Sequence, residues 1–164
     1  MSKLFVDDIV EKTSGHGVVI PGHILQVVNT IHGVNQIISG ATATEYTGIT
    51  TSITPKVTGS KIYCVVNIAC GNNYAGGIWY RSSLCRDSGS NLLGNVHDFY
   101  MNAQYEYIGP RFLHNQIDPL TTTAGTARAY KVFLSAQTSA SGNLHINWSS
   151  NQSQSSMTLM EIAQ

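Results

Sequence analysis

From residue 23 onward the chain alternates in twos. In 23–30, Ile24, Gln26 and Val28 take one side and Leu25 and Val27 the other. Residues 61–70 give the strongest signal: Ile62, Cys64, Val66, Ile68 and Cys70 share one face, Tyr63, Val65, Asn67 and Ala69 the opposite one. A strand apolar on both sides predicts a central position, covered by a second sheet or by another copy of the chain. Residues 78–86 read as another strand, and 126–137 alternate again, with Tyr130, Val132 and Leu134 against Lys131 and Phe133. Shorter strands are predicted around 48–54, closed by Pro55, at 143–148, and at 156–163. The segments 71–77, 87–91 and 138–142 carry turn chemistry, with Asp87-Ser88-Gly89-Ser90-Asn91 the clearest hairpin signal. Residues 31–44 read as a Gly/Ala/Thr-rich connection, and 95–119 is aromatic-rich with no clean period. No amphipathic helix longer than two turns is found. Seven or eight short strands at regular spacing predict an all-β chain, a single β-sandwich or jelly roll.

Residues 1–22 break this pattern. Lys3, Asp7, Asp8, Glu11 and Lys12 place five of the 18 charges in the first 12 residues, and Gly15, Gly17, Pro21 and Gly22 follow. That density of breakers predicts an extended arm or neck leading into a domain at 23–164.

Composition sharpens the reading. Charged residues make up 11% of the 164, against about 25% in an average soluble domain, and nine basic residues balance nine acidic ones. That argues against a basic nucleic-acid footprint and a polybasic membrane patch. Ser, Thr, Asn and Gln number 52, so neutral hydroxyls and amides replace charge as the solubilising groups. A chain with little net charge is poorly kept apart from its own copies, which suits an assembled oligomer. The N-terminus lacks the apolar core of a signal peptide, and no apolar run approaches the ~18 residues of a membrane span. Cys64, Cys70 and Cys85 form no CxxC pair; an odd, sparse set predicts reduced, buried thiols and synthesis in a reducing cytoplasm.

Two stretches resemble tailed-bacteriophage fibre and tip proteins. In residues 4–22, Asp8, Ile9, Glu11, Lys12, Thr13, Ser14, Gly15, Gly17, Val18, Ile20 and Gly22 match the run that precedes the distal domain of such fibres. SMTLMEIAQ at 156–164 looks like their closing strand, and 52–66 and 84–94 resemble an internal strand pair and its "R-D-G" hairpin. The resemblance implies a homotrimeric virion component, assembled in the host bacterial cytoplasm, whose distal β-domain contacts the host surface. The motif begins at residue 4, without the long shaft usual before it, so a short tail fibre, a baseplate tip and a capsid decoration protein stay open. Residues 1–22 would dock onto other phage structural proteins through Phe5, Val6, Asp8 and Ile9 and help hold the trimer. The domain at 23–164 would bind a host surface polysaccharide or an outer-membrane component. The competing reading is a decoration or cement protein that binds no receptor.

Candidate receptor contacts follow from side-chain chemistry. Phe99, Tyr100, Tyr105, Tyr107 and Phe112 lie in 95–119 among Asp98, Asn102, Glu106 and Arg111. Aromatic faces cover the apolar face of a sugar while amides and charges bond its hydroxyls. Asn73 and Tyr74, with Trp79 and Arg81 nearby, form a second cluster, although a strand Trp more often packs in a core or interface. Tyr100, Tyr105, Tyr107, Asn102, Arg111, Asn73 and Tyr74 are therefore the candidate receptor residues. Six scattered histidines supply no His-x-His pair, the nearest approach being Leu144-His145-Ile146-Asn147, so no metal and no cofactor is expected. Nucleophile elbow, phosphate loop and HExxH are absent. Asp98, Glu106 and Asp118 are the only carboxylates weighed for glycosidic cleavage, and the chain reads as a binder and not an enzyme.

Overall fold

A computed structural model describes residues 20–72, 77–101, 111–136, 143–147 and 153–164. Eleven strands are found among them: β1 (Ile24–His32), β2 (Gln36–Ser39), β3 (Thr44–Glu45), β4 (Thr51–Ile53), β5 (Lys61–Asn72), β6 (Ile78–Arg86), β7 (His97–Met101), β8 (Arg111–Ile117), β9 (Arg128–Ala136), β10 (Asn143–Ile146) and β11 (Ser155–Ile162). One single-turn 3-10 helix, Thr47–Ile49, precedes β4.

The strands pair in a nested order. β1 pairs β11, β2 pairs β10, β3 and β4 pair β9, β5 pairs β8, and β6 pairs β7, all antiparallel. Nesting of this kind is a long hairpin rolled up on itself, the wrapping that makes a jelly roll. The roll closes where β11 and then β10 line one edge of β5, and where β9 lies against β6. Two sheets result: a six-stranded one of β1, β11, β5, β10 and β2 with β8 on the other edge of β5, and a five-stranded one of β3, β9, β6 and β7 with β4 on β9. The predicted β-sandwich is the observed fold.

Its core is the set of positions that period-two alternation turns inward. β5 contributes Ile62, Cys64, Val66, Ile68 and Cys70, β11 Met157 and Leu159, and β10 Leu144 and Ile146; from the opposite sheet come Tyr80, Leu84, Tyr130, Val132 and Leu134. Burying each aliphatic side chain is worth about 1.5–3 kcal/mol. The three thiols are free and buried, and burial pushes those of Cys64 and Cys70 well up, so they act as small apolar groups.

Buried polar groups fix the joints. Asn147 ends β10 in the left-handed region, at φ 54°. Its side-chain amide donates to the His32 carbonyl at 2.8 Å and the Tyr46 hydroxyl at 2.7 Å, and its carbonyl accepts from the Ser155 hydroxyl at 2.7 Å. One amide therefore ties together the ends of β1, β10 and β11. Glu161 on β11 is buried without a basic partner among the described residues. Burial pushes its carboxyl up, but the amides of Lys56 and Val57 and the side chains of Ser60 and Gln26 donate to it and bring it below the ordinary value.

Two parts of the sequence reading change. The connection 31–44 takes in the end of β1, all of β2 and the start of β3, and β2 and β3 are too short to show a period. The aperiodic stretch 95–119 holds β7 and β8. β8 blurs the usual pattern: His114 is buried and Phe112 and Gln116 half-buried, while Leu113 and Ile117 face outward. Each face mixes the two kinds, Phe112 with His114 and Gln116 inside and Leu113 and Ile117 with Arg111 and Asn115 outside, which leaves no amphipathic signal to read.

Candidate functional site

β7 and β8 are consecutive in the chain but belong to opposite sheets. This divides the aromatic-rich segment. On β7, Tyr100 points outward from the five-stranded sheet, whereas on β8 Arg111 points outward from the six-stranded one, near the Asn67 side chain and the Gln154 carbonyl. Phe99 and Phe112 turn inward between the sheets, where their rings meet. Tyr100 and Arg111 therefore do not form one patch, because the chain crosses the sandwich between them. Asn102, Tyr105, Tyr107, Asn73 and Tyr74 lie outside the described residues, as do Phe5, Val6, Asp8, Ile9 and Glu106.

The structure instead joins parts of the two sequence clusters. β6 and β7 pair so that Trp79 stands opposite Tyr100 and Arg81 opposite Asp98. The Trp79 and Tyr100 rings lie 5.3 Å apart, tilted by 47°, and both residues are about half exposed. Beside them Arg81 grips Asp98 with two hydrogen bonds, Nε to Oδ1 at 2.8 Å and a terminal nitrogen to Oδ2 at 3.0 Å. The Tyr100 ring lies over Gly77, where a Cβ would collide with its hydroxyl. Within the single chain Trp79 is thus a surface residue and not a core residue. Its direction was readable in the alternation of Ile78, Tyr80 and Ser82; its partner was not.

The outer face of the six-stranded sheet has a different character. Across β1, β11, β5 and β8, register sets out three rows: Val27, Met160, Tyr63, Ile117; Asn29, Thr158, Val65, Asn115; and Ile31, Ser156, Asn67, Leu113. None of these twelve side chains is charged, and Val27, Ile31, Leu113 and Ile117 are each more than half exposed. The outer face of the five-stranded sheet carries two ion pairs, Arg81–Asp98 and Lys131–Glu45 at 3.0 Å. Its turn at Asp87–Ser90 folds back so that Gly89 packs on Phe133 and the Gly89 carbonyl caps the Cys85 thiol.

The carboxylates weighed for hydrolysis have separate employments. Asp98 serves the surface pair with Arg81. Asp118 is fully buried and accepts from Arg86 at 2.6 Å, Arg128 at 3.2 Å and the Tyr130 hydroxyl at 2.8 Å. Such a carboxylate joins β6, β9 and the segment after β8, and its oxygens are turned away from solvent. Among the described residues no three His, Cys, Asp or Glu side chains are grouped to hold a metal ion, and no helix is long and apolar enough to cross a membrane.

One further cluster was not foreseen. His114 of β8 is buried in the seam between the sheets, with its Nε2 2.7 Å from the Ser82 hydroxyl of β6. The His97 ring of β7 stands edge-on to it at 4.8 Å. The His114 Nδ1 has no hydrogen-bond partner among the described residues.

Comparison with known proteins adds little to this geometry. No family model and no curated protein matches the chain. Among solved structures, the Eiger TNF protein of S. frugiperda is similar over 84% of this chain and 93% of its own, with 12% sequence identity and a TM-score of 0.36.

Proposed function

We propose that the chain is a surface protein of a tailed-phage particle, a homotrimer joined through the uncharged outer face of its six-stranded sheet and binding the host cell through the opposite sheet. The observation that carries this reading is the contrast between the two outer faces. Three rows of uncharged side chains, with apolar and neutral polar groups interleaved, leave four aliphatic residues in water in the single chain, a pattern that a partner subunit relieves. The segments at 4–22 and 156–164, which resemble those of phage fibre tips, support the virion assignment, and residues 1–22 are the part assigned to docking on the particle.

The opposite face supplies the contact chemistry. Trp79 and Tyr100 offer two ring faces on a paired β-ribbon, and Arg81 and Asp98 offer donors and acceptors beside them. A sugar ring of a host surface polysaccharide is the ligand this combination suits: C–H groups on the aromatic faces, hydroxyls on the charged pair. Three such sites on one trimer gain by avidity, about 10²–10⁴ where the spacing fits. No step of bond making or breaking is involved.

Adsorption tests the reading. Purified protein should bind host cells and compete with phage for attachment, and Trp79→Ala should lose that competition while keeping its oligomeric state. Protein that decorates particles but neither binds cells nor competes would instead make it a capsid cement protein.

A further inference from the structure

We propose that His114 is an acid-sensitive latch between the two sheets, and that protonating it releases β7 from the sandwich. The opening stands on the seam's own geometry; its consequence for binding rests on the reading of Trp79 and Tyr100 given above.

Neutral imidazole suits this seam and imidazolium does not. One ring nitrogen of His114 is matched to the Ser82 hydroxyl; the other meets no acceptor among the described residues. Protonation makes both nitrogens donors, so the charged ring would hold an unsatisfied N–H in a buried place. The groups that face it cannot neutralise the charge. From β7 comes His97, a second base, and from β6 the Ser82 hydroxyl and the neutral phenol of Tyr80. β5 faces it with Val66, the in-register partner, and the protonated thiol of Cys64. The one nearby acid on the ribbon, Asp98, points to the outer face with Arg81. Burial first, then the charge of His97, lowers the His114 pKa to about 4.

The strand that yields is set by the sheet edges. β8 pairs with β5 over seven positions and β7 with β6 over five, and β7 ends its sheet, so β7 is held less firmly. Inward it is kept by Phe99, stacked on Tyr80 and against Phe112, and by His97 on His114. Charging His114 weakens that seam. Because Tyr100 and Asp98 are half of the exposed ribbon, acid would dismantle the surface that binds.

The sign follows from proton binding. The open state, with an ordinary imidazole near 6.5, takes the proton more readily than the closed state near 4. Opening is therefore favoured as pH falls below 6.5 and gains nothing more below 4. Between pH 7 and pH 4.5 the opening equilibrium should rise about 50-fold.

Hydrogen exchange of the full chain at pH 7 and pH 4.5, corrected for intrinsic rates, reads this directly. The amides of 97–101 should lose protection on acidification while those of β5 and β11 keep it. In His114→Gln that acid-induced loss should disappear. Should this variant fail to fold, His97→Gln, altered at an exposed ring, should fold and show a smaller loss, since the repelling neighbour is gone. Unchanged protection in β7, equal loss across both sheets, or the same acid response with His97 replaced would overturn the latch. If the latch holds but Trp79→Ala binds cells normally, only the binding surface has been misassigned.

Discussion

The two outer faces of the sandwich are built by the same period-two rule and finished with different chemistry. On the five-stranded sheet, outward positions carry matched charges: Arg81 meets Asp98, Lys131 meets Glu45, and a turn covers Phe133 and Cys85. On the six-stranded sheet, Lys61 and Arg111 stand at opposite ends of β5 pairing, and nothing charged lies in the rows between. A face finished with ion pairs is stable in water as it stands. A face finished with Val27, Ile31, Leu113 and Ile117 gains by being covered. The contrast teaches that burial inside one chain accounts for only one side of β5; its outer residues Tyr63 and Val65 are half-buried by neighbours alone.

The comparison can be broken most forcefully on the uncharged face. Val27→Asp with Leu113→Asp places like charges where copies would meet, and should shift the assembly wholly to monomer. The chain itself should still fold, since both side chains are exposed within it; sedimentation and circular dichroism on one sample check the two halves of this statement. The same pair of substitutions on a monomeric protein would leave sedimentation unchanged.

Next in size is the loss of a buried polar joint. Glu161→Gln leaves the four donors around it facing a neutral amide, and should cost about 2–3 kcal/mol in urea unfolding. The contribution of Glu161 has a definite pH dependence. Its folded pKa lies below the ordinary 4.5, so its stabilisation is present above that value and is lost as pH falls through the folded pKa. Glu161→Gln should therefore flatten the stability profile on the acid side, whereas the His114 contribution falls away between 6.5 and 4; the two are separable by pH.

Smaller effects belong to the charged face. Arg81→Ala breaks an ion pair in which both partners are near half exposed, and such pairs add little, so thermal unfolding should barely move while cell binding weakens. Gly77→Ala is the mildest probe. A Cβ there must push the Tyr100 ring aside, altering the Trp79–Tyr100 geometry without touching the core. Its fluorescence and cell binding should change together, with stability unaffected.

Much of the fold was legible in the chain because its central strands announce themselves. β5, β6, β9 and β11 alternate over eight residues or more, and every second residue is driven inward. β2 and β3 are too short for that, and β8 conceals itself by carrying Leu113 and Ile117 outside and His114 inside. The candidate surface was legible only in pieces. Sequence spacing puts Tyr100 and Arg111 in one cluster, but the chain passes from one sheet to the other between them. Trp79 and Tyr100 are 21 positions apart and meet only because β6 and β7 pair in that register. Register depends on where the intervening turn sits, which side-chain composition does not encode.

The mass of the protein in solution, measured by sedimentation over a wide concentration range, tests the account at its centre. A species at three times the 17.7 kDa of one chain, reduced to a single chain by Val27→Asp with Leu113→Asp, is the predicted result. A 17.7 kDa species at every concentration, or an oligomer indifferent to those two substitutions, would contradict the claim that the uncharged face joins copies of the chain.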